Sequence, residues 1–160
     1  MRRFSWSIWI LLALLAVAPS ALLAQATGQG ILFGNWKLNV AKCNFGGGPK
    51  LMAMTVQVAS DTPQLIQYSV DQTTENGFAV SFSFKGAPDG KEYPLVGSSS
   101  IYSYTEEPGV VHETQKDTDG TLTKGDFTVS ANGKVGTWQY VITNPDGSAL
   151  KQKLVFDHAA

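Results

Sequence analysis

Five Asx-Gly pairs punctuate this chain: Asn76-Gly77, Asp89-Gly90, Asp119-Gly120, Asn132-Gly133 and Asp146-Gly147. Asx tolerates a left-handed backbone and glycine has no Cβ to clash there, so each pair suits a tight turn between antiparallel strands. Pro108-Gly109 is a further turn signal. Between the turns lie short runs rich in Val, Thr, Phe and Tyr, and nothing after the first 26 residues has helical periodicity over a useful length. The pattern predicts ten strands, over 33–39, 51–59, 65–72, 77–85, 91–96, 100–106, 110–117, 121–130, 134–143 and 149–157.

Hairpin after hairpin means antiparallel neighbours with no crossover helix. The expected fold class is therefore all-β, an up-and-down meander of about 8–10 strands. Closure into a barrel is favoured over a sandwich, because Greek-key sandwiches need longer crossing connections and closure removes open sheet edges. A membrane barrel fits poorly. Its lipid face needs an apolar band alternating over ~9–11 residues per strand, whereas Asp71, Gln72, Lys116, Lys151 and Lys153 interrupt both faces here.

The first 26 residues read differently from the rest. Met1, Arg2 and Arg3 form a positive head, residues 4–18 are almost wholly apolar, Pro19 and Ser20 break the run, and Ala24-Gln25-Ala26 is a small-x-small exit. These are the three parts of a secretory signal, and the apolar run falls short of the ~20 residues of a membrane span. The expected organisation is a signal peptide over 1–26 and one barrel domain over 27–160, with an exported, periplasmic or extracellular destination. Loss of 26 of the 160 residues leaves 134, an ordinary single-domain length. It also removes both arginines, so 12 basic and 13 acidic residues become 10 and 13, all the basic ones lysine. That balance gives no footprint for nucleic acid, and the lone Cys43 cannot form an internal disulfide.

Gly34-x-Trp36 at the start of the first strand resembles the opening signature of lipocalins. Phe33-Gly34-Asn35-Trp36-Lys37-Leu38 with Asn44-Phe45 is also similar to the start of intracellular fatty-acid-binding proteins. Trp36-Lys37-Leu38-Asn39, Ala41-Lys42, Phe45 and the Gly/Pro-rich connector resemble small exported bacterial proteins of the lipocalin-like (calycin) group, mostly of unassigned function. In that group a serine commonly stands at the place of Cys43. The resemblance implies a barrel with Gly34 and Trp36 as structural signature and an interior ligand. Two departures matter. Fatty-acid-binding proteins insert two helices after the first strand, where only residues 46–50 stand here. They also grip a carboxylate with an interior arginine pair, and the chain beyond the leader has no arginine, so no bidentate fork is available.

Strand parity marks the inward sets. Phe78, Val80, Phe82 and Phe84 share a face, as do Ile66, Tyr68 and Val70, and Trp138, Tyr140 and Ile142. From these come the candidate ligand-binding residues Tyr68, Val80, Phe82, Phe84, Trp138 and Tyr140. Ordinary core filling is the competing reading, since a small barrel interior is just wide enough for side chains. Trp36 is expected to plug one end, its N–H on a backbone carbonyl. Tyr102 and Tyr104 share a face with Glu106, either at a barrel mouth or in a solvated aromatic ladder.

His112 and Glu113 are neighbours in sequence, but a strand points them to opposite faces. His158 lies near the terminus and is expected to fray. No metal site, cofactor or catalytic residue is expected. Asp117-Thr118-Asp119-Gly120 lacks the rest of a calcium loop, and Gly46-Gly47-Gly48 lacks the Lys-Ser/Thr and helix of a phosphate loop. The functional expectation is a non-catalytic exported barrel that binds a small hydrophobic or amphipathic ligand, with no nucleic-acid or membrane partner and with oligomeric state open. The alternative is a solid barrel that meets a protein or glycan through its loops.

Overall fold

The computed structural model describes residues 28–159, and the segment 1–26 expected to be a signal peptide lies outside them. Ten strands follow one another: β1 (Gly34–Leu38), β2 (Leu51–Thr62), β3 (Leu65–Thr74), β4 (Ala79–Gly86), β5 (Tyr93–Pro94), β6 (Ile101–Glu107), β7 (Val110–Lys116), β8 (Leu122–Val129), β9 (Val135–Thr143) and β10 (Ala149–Ala159). A short 3-10 turn at Val40–Lys42 is the one helical element among the described residues. The strands form a single sheet in the order β4-β3-β2-β1-β10-β9-β8-β7-β6-β5, and every ladder is antiparallel. This is the up-and-down meander expected from the turns, curled into a nearly closed barrel.

The first strand, β1, pairs with the last, β10, so the seam falls in mid-sequence, between β4 and the β5–β6 region. It is bridged by reciprocal Ser83–Val96 backbone hydrogen bonds of 2.9 Å each and by Gly90 N–H to Tyr104 O at 2.8 Å. The seam is thin for a chemical reason. Pro88 and Pro94 have no N–H to give a ladder, and the strand expected over 91–96 shrinks to two residues.

Four of the Asx-Gly turns gain from their Asx side chain. Asp89, Asp119, Asn132 and Asp146 each accept the N–H two residues on, at 2.8–3.1 Å. The left-handed positions themselves are all glycine.

β2 extends to Thr62, beyond the expected limit, and carries a bulge between Val58 and Ser60. The extra residue shifts the parity, so Met54 and Val58 face inward before it and Asp61 faces inward after it. Asp61 is fully buried. Its carboxylate accepts Leu32 N–H at 2.7 Å and its carbonyl accepts Gly30 N–H at 2.6 Å, which pins segment 28–33 across one end of the barrel.

Trp36 is the plug at that end. It is 3% exposed, and its Nε1 donates to Leu32 O at 2.7 Å. Phe127 meets it edge-on at 5.5 Å, and a Cβ on Gly136 would lie 2.5 Å from Phe127 and 3.1 Å from Trp36. Gly34 has φ +115°, and a Cβ there would lie 2.3 Å from His158 Nε2. His158 is not frayed. It pairs with Trp36 across the β1–β10 ladder and packs on the indole at 4.6 Å, because the bare backbone of Gly34 leaves room for its ring.

Candidate functional site: the barrel interior

The inward faces do not fill the barrel. A cavity of about 630 Å³ remains, within the size range of small-molecule pockets. One end is stopped by Leu32 and Trp36. At the other end Pro49, Gly97, Ser98 and the β7–β8 turn at Asp119 and Thr121 contribute to the wall.

Most of the wall is apolar, and strand pairing explains how it is assembled. Tyr68 faces Phe84, Val70 faces Phe82 and Gln72 faces Val80 across β3–β4. Phe127 and Leu154 flank Trp138, from β8 and β10 respectively. Trp138 stacks on Tyr140 at 4.2 Å. Of the residues expected inside, Tyr68, Val80, Phe82, Trp138 and Tyr140 line the cavity. Phe84 is 1% exposed and sits behind the wall, packed among Tyr68, Tyr102, Tyr104 and Tyr93. Phe78 does not belong to the inward set. It lies just before β4 and is 68% exposed, because the alternation of β4 begins only at Ala79.

The other side of the wall is polar, and it is organised by β6 and β7. Tyr102 and Tyr104 are buried and point inward, so the solvated ladder is not what forms. Their partners across the ladder are Gln115 and Glu113. Partners directly opposite share a face, so inward tyrosines on β6 force Glu113 and Gln115 inward on β7. His112 then points outward, with its Nδ1 2.6 Å from Asp126 Oδ1. The Asp126 carboxylate raises the imidazole pKa. The expected opposition of His112 and Glu113 is thus what the strand produces, with Glu113 on the interior side.

Tyr68 and Tyr104 hydroxyls lie 2.5 Å apart, and Tyr104 donates to Glu113 Oε2 at 3.0 Å. Toward the open end, Tyr102 donates to Gln115 Oε1. Gln115 Nε2 donates to Asp117 Oδ1 at 2.7 Å, and Ser100 Oγ donates to the same oxygen at 2.5 Å. On the opposite wall Tyr140 donates to Gln152, whose Nε2 donates to Phe45 O at 2.8 Å.

Glu113 is the exception in this network. Its side chain is partly buried and lines the cavity. Its Oε1 has no protein partner. Burial pushes the pKa from the usual 4.5 up to about 8, against the pull of the Tyr104 hydrogen bond. Burial also holds the hydroxyls of Tyr68, Tyr102, Tyr104 and Tyr140 above the usual phenol range, with the Glu113 charge adding to the effect in each. Trp138 Nε1 is a second buried group on the wall without a partner, here a donor.

Outside the wall, Glu106 is pushed to about 7 by burial and by the adjacent Asp61 carboxyl. Cys43 is partly buried beside Asn39 O and Val155 N–H, and burial raises its pKa. No group of three or more His, Cys, Asp or Glu is placed to hold a metal among the described residues.

The fold is that of small antiparallel β-barrels. A redesigned β-barrel aligns at TM-score 0.51 and 12% identity, over 81% of this chain and 93% of its own. The designed barrel EF1p2_mFAP2b bound to DFHBI aligns at TM-score 0.51 and 10% identity, over 81% and 94%. The REP1-NXSQ fatty acid transporter aligns at TM-score 0.50 and 10% identity, over 81% and 96%. At these identities the likeness is one of fold. No protein-family model and no curated protein matches the chain.

Proposed function

We propose that this protein is an exported, non-catalytic carrier that holds a small hydrophobic or amphipathic molecule inside its barrel. One observation carries the reading: a cavity of about 630 Å³ with a mostly apolar wall and a few convergent polar groups, the usual make-up of a ligand pocket. A barrel serving only as a rigid platform for its loops gains nothing from such a volume, because empty space forfeits packing contacts. Two of the barrels that share its fold are a DFHBI complex and a fatty acid transporter, which agrees with the proposal. The leader-like segment over 1–26 supports export.

The carrier would act passively. The apolar wall desolvates the ligand body, and the tyrosine hydroxyls orient its polar end. Native mass spectrometry of the purified protein, compared with the denatured chain, tests this together with binding of a neutral solvatochromic dye such as Nile red. A retained mass or dye emission that shifts on binding is expected. Filling the space with Val80→Trp should abolish dye binding while leaving the fold intact. Absence of both a retained mass and dye binding in the parent protein would refute the proposal.

A further inference from the structure

The polar side of the cavity also specifies which amphipathic molecules suit it, and this step rests on the carrier reading. Glu113, Asp117 and Asp119 all belong to the wall, and among the described residues no Lys, Arg or His does. Asp117 and Asp119 are engaged by neighbours, Asp117 by Ser100 and Gln115 and Asp119 by Thr121 N–H. Glu113 is satisfied on one oxygen only, and the other is enclosed without a protein partner.

A carboxylate head group would bring a further negative charge into this low-dielectric space with no cation to meet it, which is strongly unfavourable. A hydroxyl head would supply one donor and no charge. A protonated amine supplies donors and the opposite charge together, as a buried carboxylate requires. The aromatic surroundings favour the same ligand. The Tyr104 ring lies 6.3 Å from that of Tyr68 and 6.0 Å from that of Tyr102, centroid to centroid, and electron-rich ring faces attract organic cations.

We propose that the cavity selects an amphipathic amine, with its ammonium group at Glu113 among the β3 and β6 tyrosines and its apolar chain against the Val70–Phe82–Trp138 wall. The ionisable or charged groups facing Glu113 are Tyr68 from β3, Tyr102 and Tyr104 from β6, Tyr140 from β9 and Asp117 just past the end of its own strand. The facing positions of β8 are Gly125 and Thr123, which carry no charge. None of these groups supplies a competing cation. The acidic residues at Asp117 and Asp119 further make the open end attractive to a cation on approach.

Decylamine, 1-decanol and decanoate, each below its aggregation concentration, separate head-group preference from chain burial when they compete with Nile red. At pH 7.5 decylamine is expected to displace the dye at a concentration at least about tenfold lower than decanoate. Glu113→Gln should remove the advantage of decylamine over 1-decanol.

The parent protein alone gives a second readout. Between pH 6 and 8.5 decylamine stays protonated, as an alkylamine does, while Glu113 loses its proton, so decylamine should tighten relative to 1-decanol. Decanoate binding as well as decylamine, a variant that keeps the amine advantage, or a flat pH profile would each overturn the proposal. Dye and decanol binding without amine preference would sink the head-group assignment alone. No binding by the dye or any of the three chains would sink the carrier reading with it.

Discussion

Glu113→Gln should make the protein less sensitive to alkali, and the size of the effect follows from the site. In the unfolded chain the carboxyl titrates near 4.5, and in the barrel burial lifts it to about 8. Between those values the folded state holds a proton that the unfolded state has released. The stability contributed by this group is fully present below pH 4.5 and is lost as the pH rises through 8. At about 1.36 kcal/mol per pKa unit, the shift corresponds to a loss of at most ~5 kcal/mol. Water entering the cavity would reduce it.

Glutamine keeps the shape and an oxygen for the Tyr104 hydroxyl but cannot ionise. Glu106 and His112 also titrate with raised pKa values, but they are common to both proteins and cancel in the difference. Urea unfolding at pH 5, 6, 7 and 8, followed by tryptophan emission, gives both stabilities by linear extrapolation. The variant should gain on the parent steadily with pH, by ~2–3.5 kcal/mol over the range. A difference constant to within ~0.5 kcal/mol would show that Glu113 is solvated like a surface carboxylate, and the reasoning about the enclosed oxygen would fail.

Gly136→Ala should cost ~1–3 kcal/mol in chemical denaturation, because the new methyl meets the Phe127 ring and the edge of Trp36; an unchanged midpoint would mean that the aromatic pair can shift freely. Trp36→Ala should cost ~3–5 kcal/mol by the same assay through loss of a core indole and its bond to Leu32 O, and a loss under ~1 kcal/mol would deny Trp36 its role as the end plug. Phe78→Ser should leave the thermal midpoint within about 1 °C and dye binding unaltered, since the ring is exposed just before β4; a clear change in either would place it in the core after all.

Glu113 shows why part of the site was hidden. On β7 the sequence reads Val111, Glu113, Gln115 on one face and His112, Thr114, Lys116 on the other. Neither face is apolar, so alternation alone gives no direction. The direction comes from the neighbour: Tyr102 and Tyr104 point inward, and the β6–β7 register carries Gln115 and Glu113 with them. The one usable signal was therefore relational, the six residues from Glu106 to Val111 that make a tight hairpin and fix the pairing.

The bulge in β2 was equally silent. No residue near Val58 announces it, yet it decides that Asp61 is buried. Phe78 failed in the opposite way. Its parity matched Phe82 and Phe84, but parity holds only while the strand continues, and Gly77 and Phe78 lie between the turn and the start of β4.

Local chemistry determined the turns, the meander, the all-β class, the identity of Trp36 as a core residue and most of the apolar wall. Those features depend on a residue and its neighbours along the chain, through φ preferences and a two-residue period. The tertiary structure alone decided that the seam falls between β4 and the β5–β6 region, that a cavity survives inside, and that an acid with one unpartnered oxygen lines it. Each of these depends on which strands lie side by side and on how much space their inward side chains leave together, and no stretch of sequence read by itself contains either quantity.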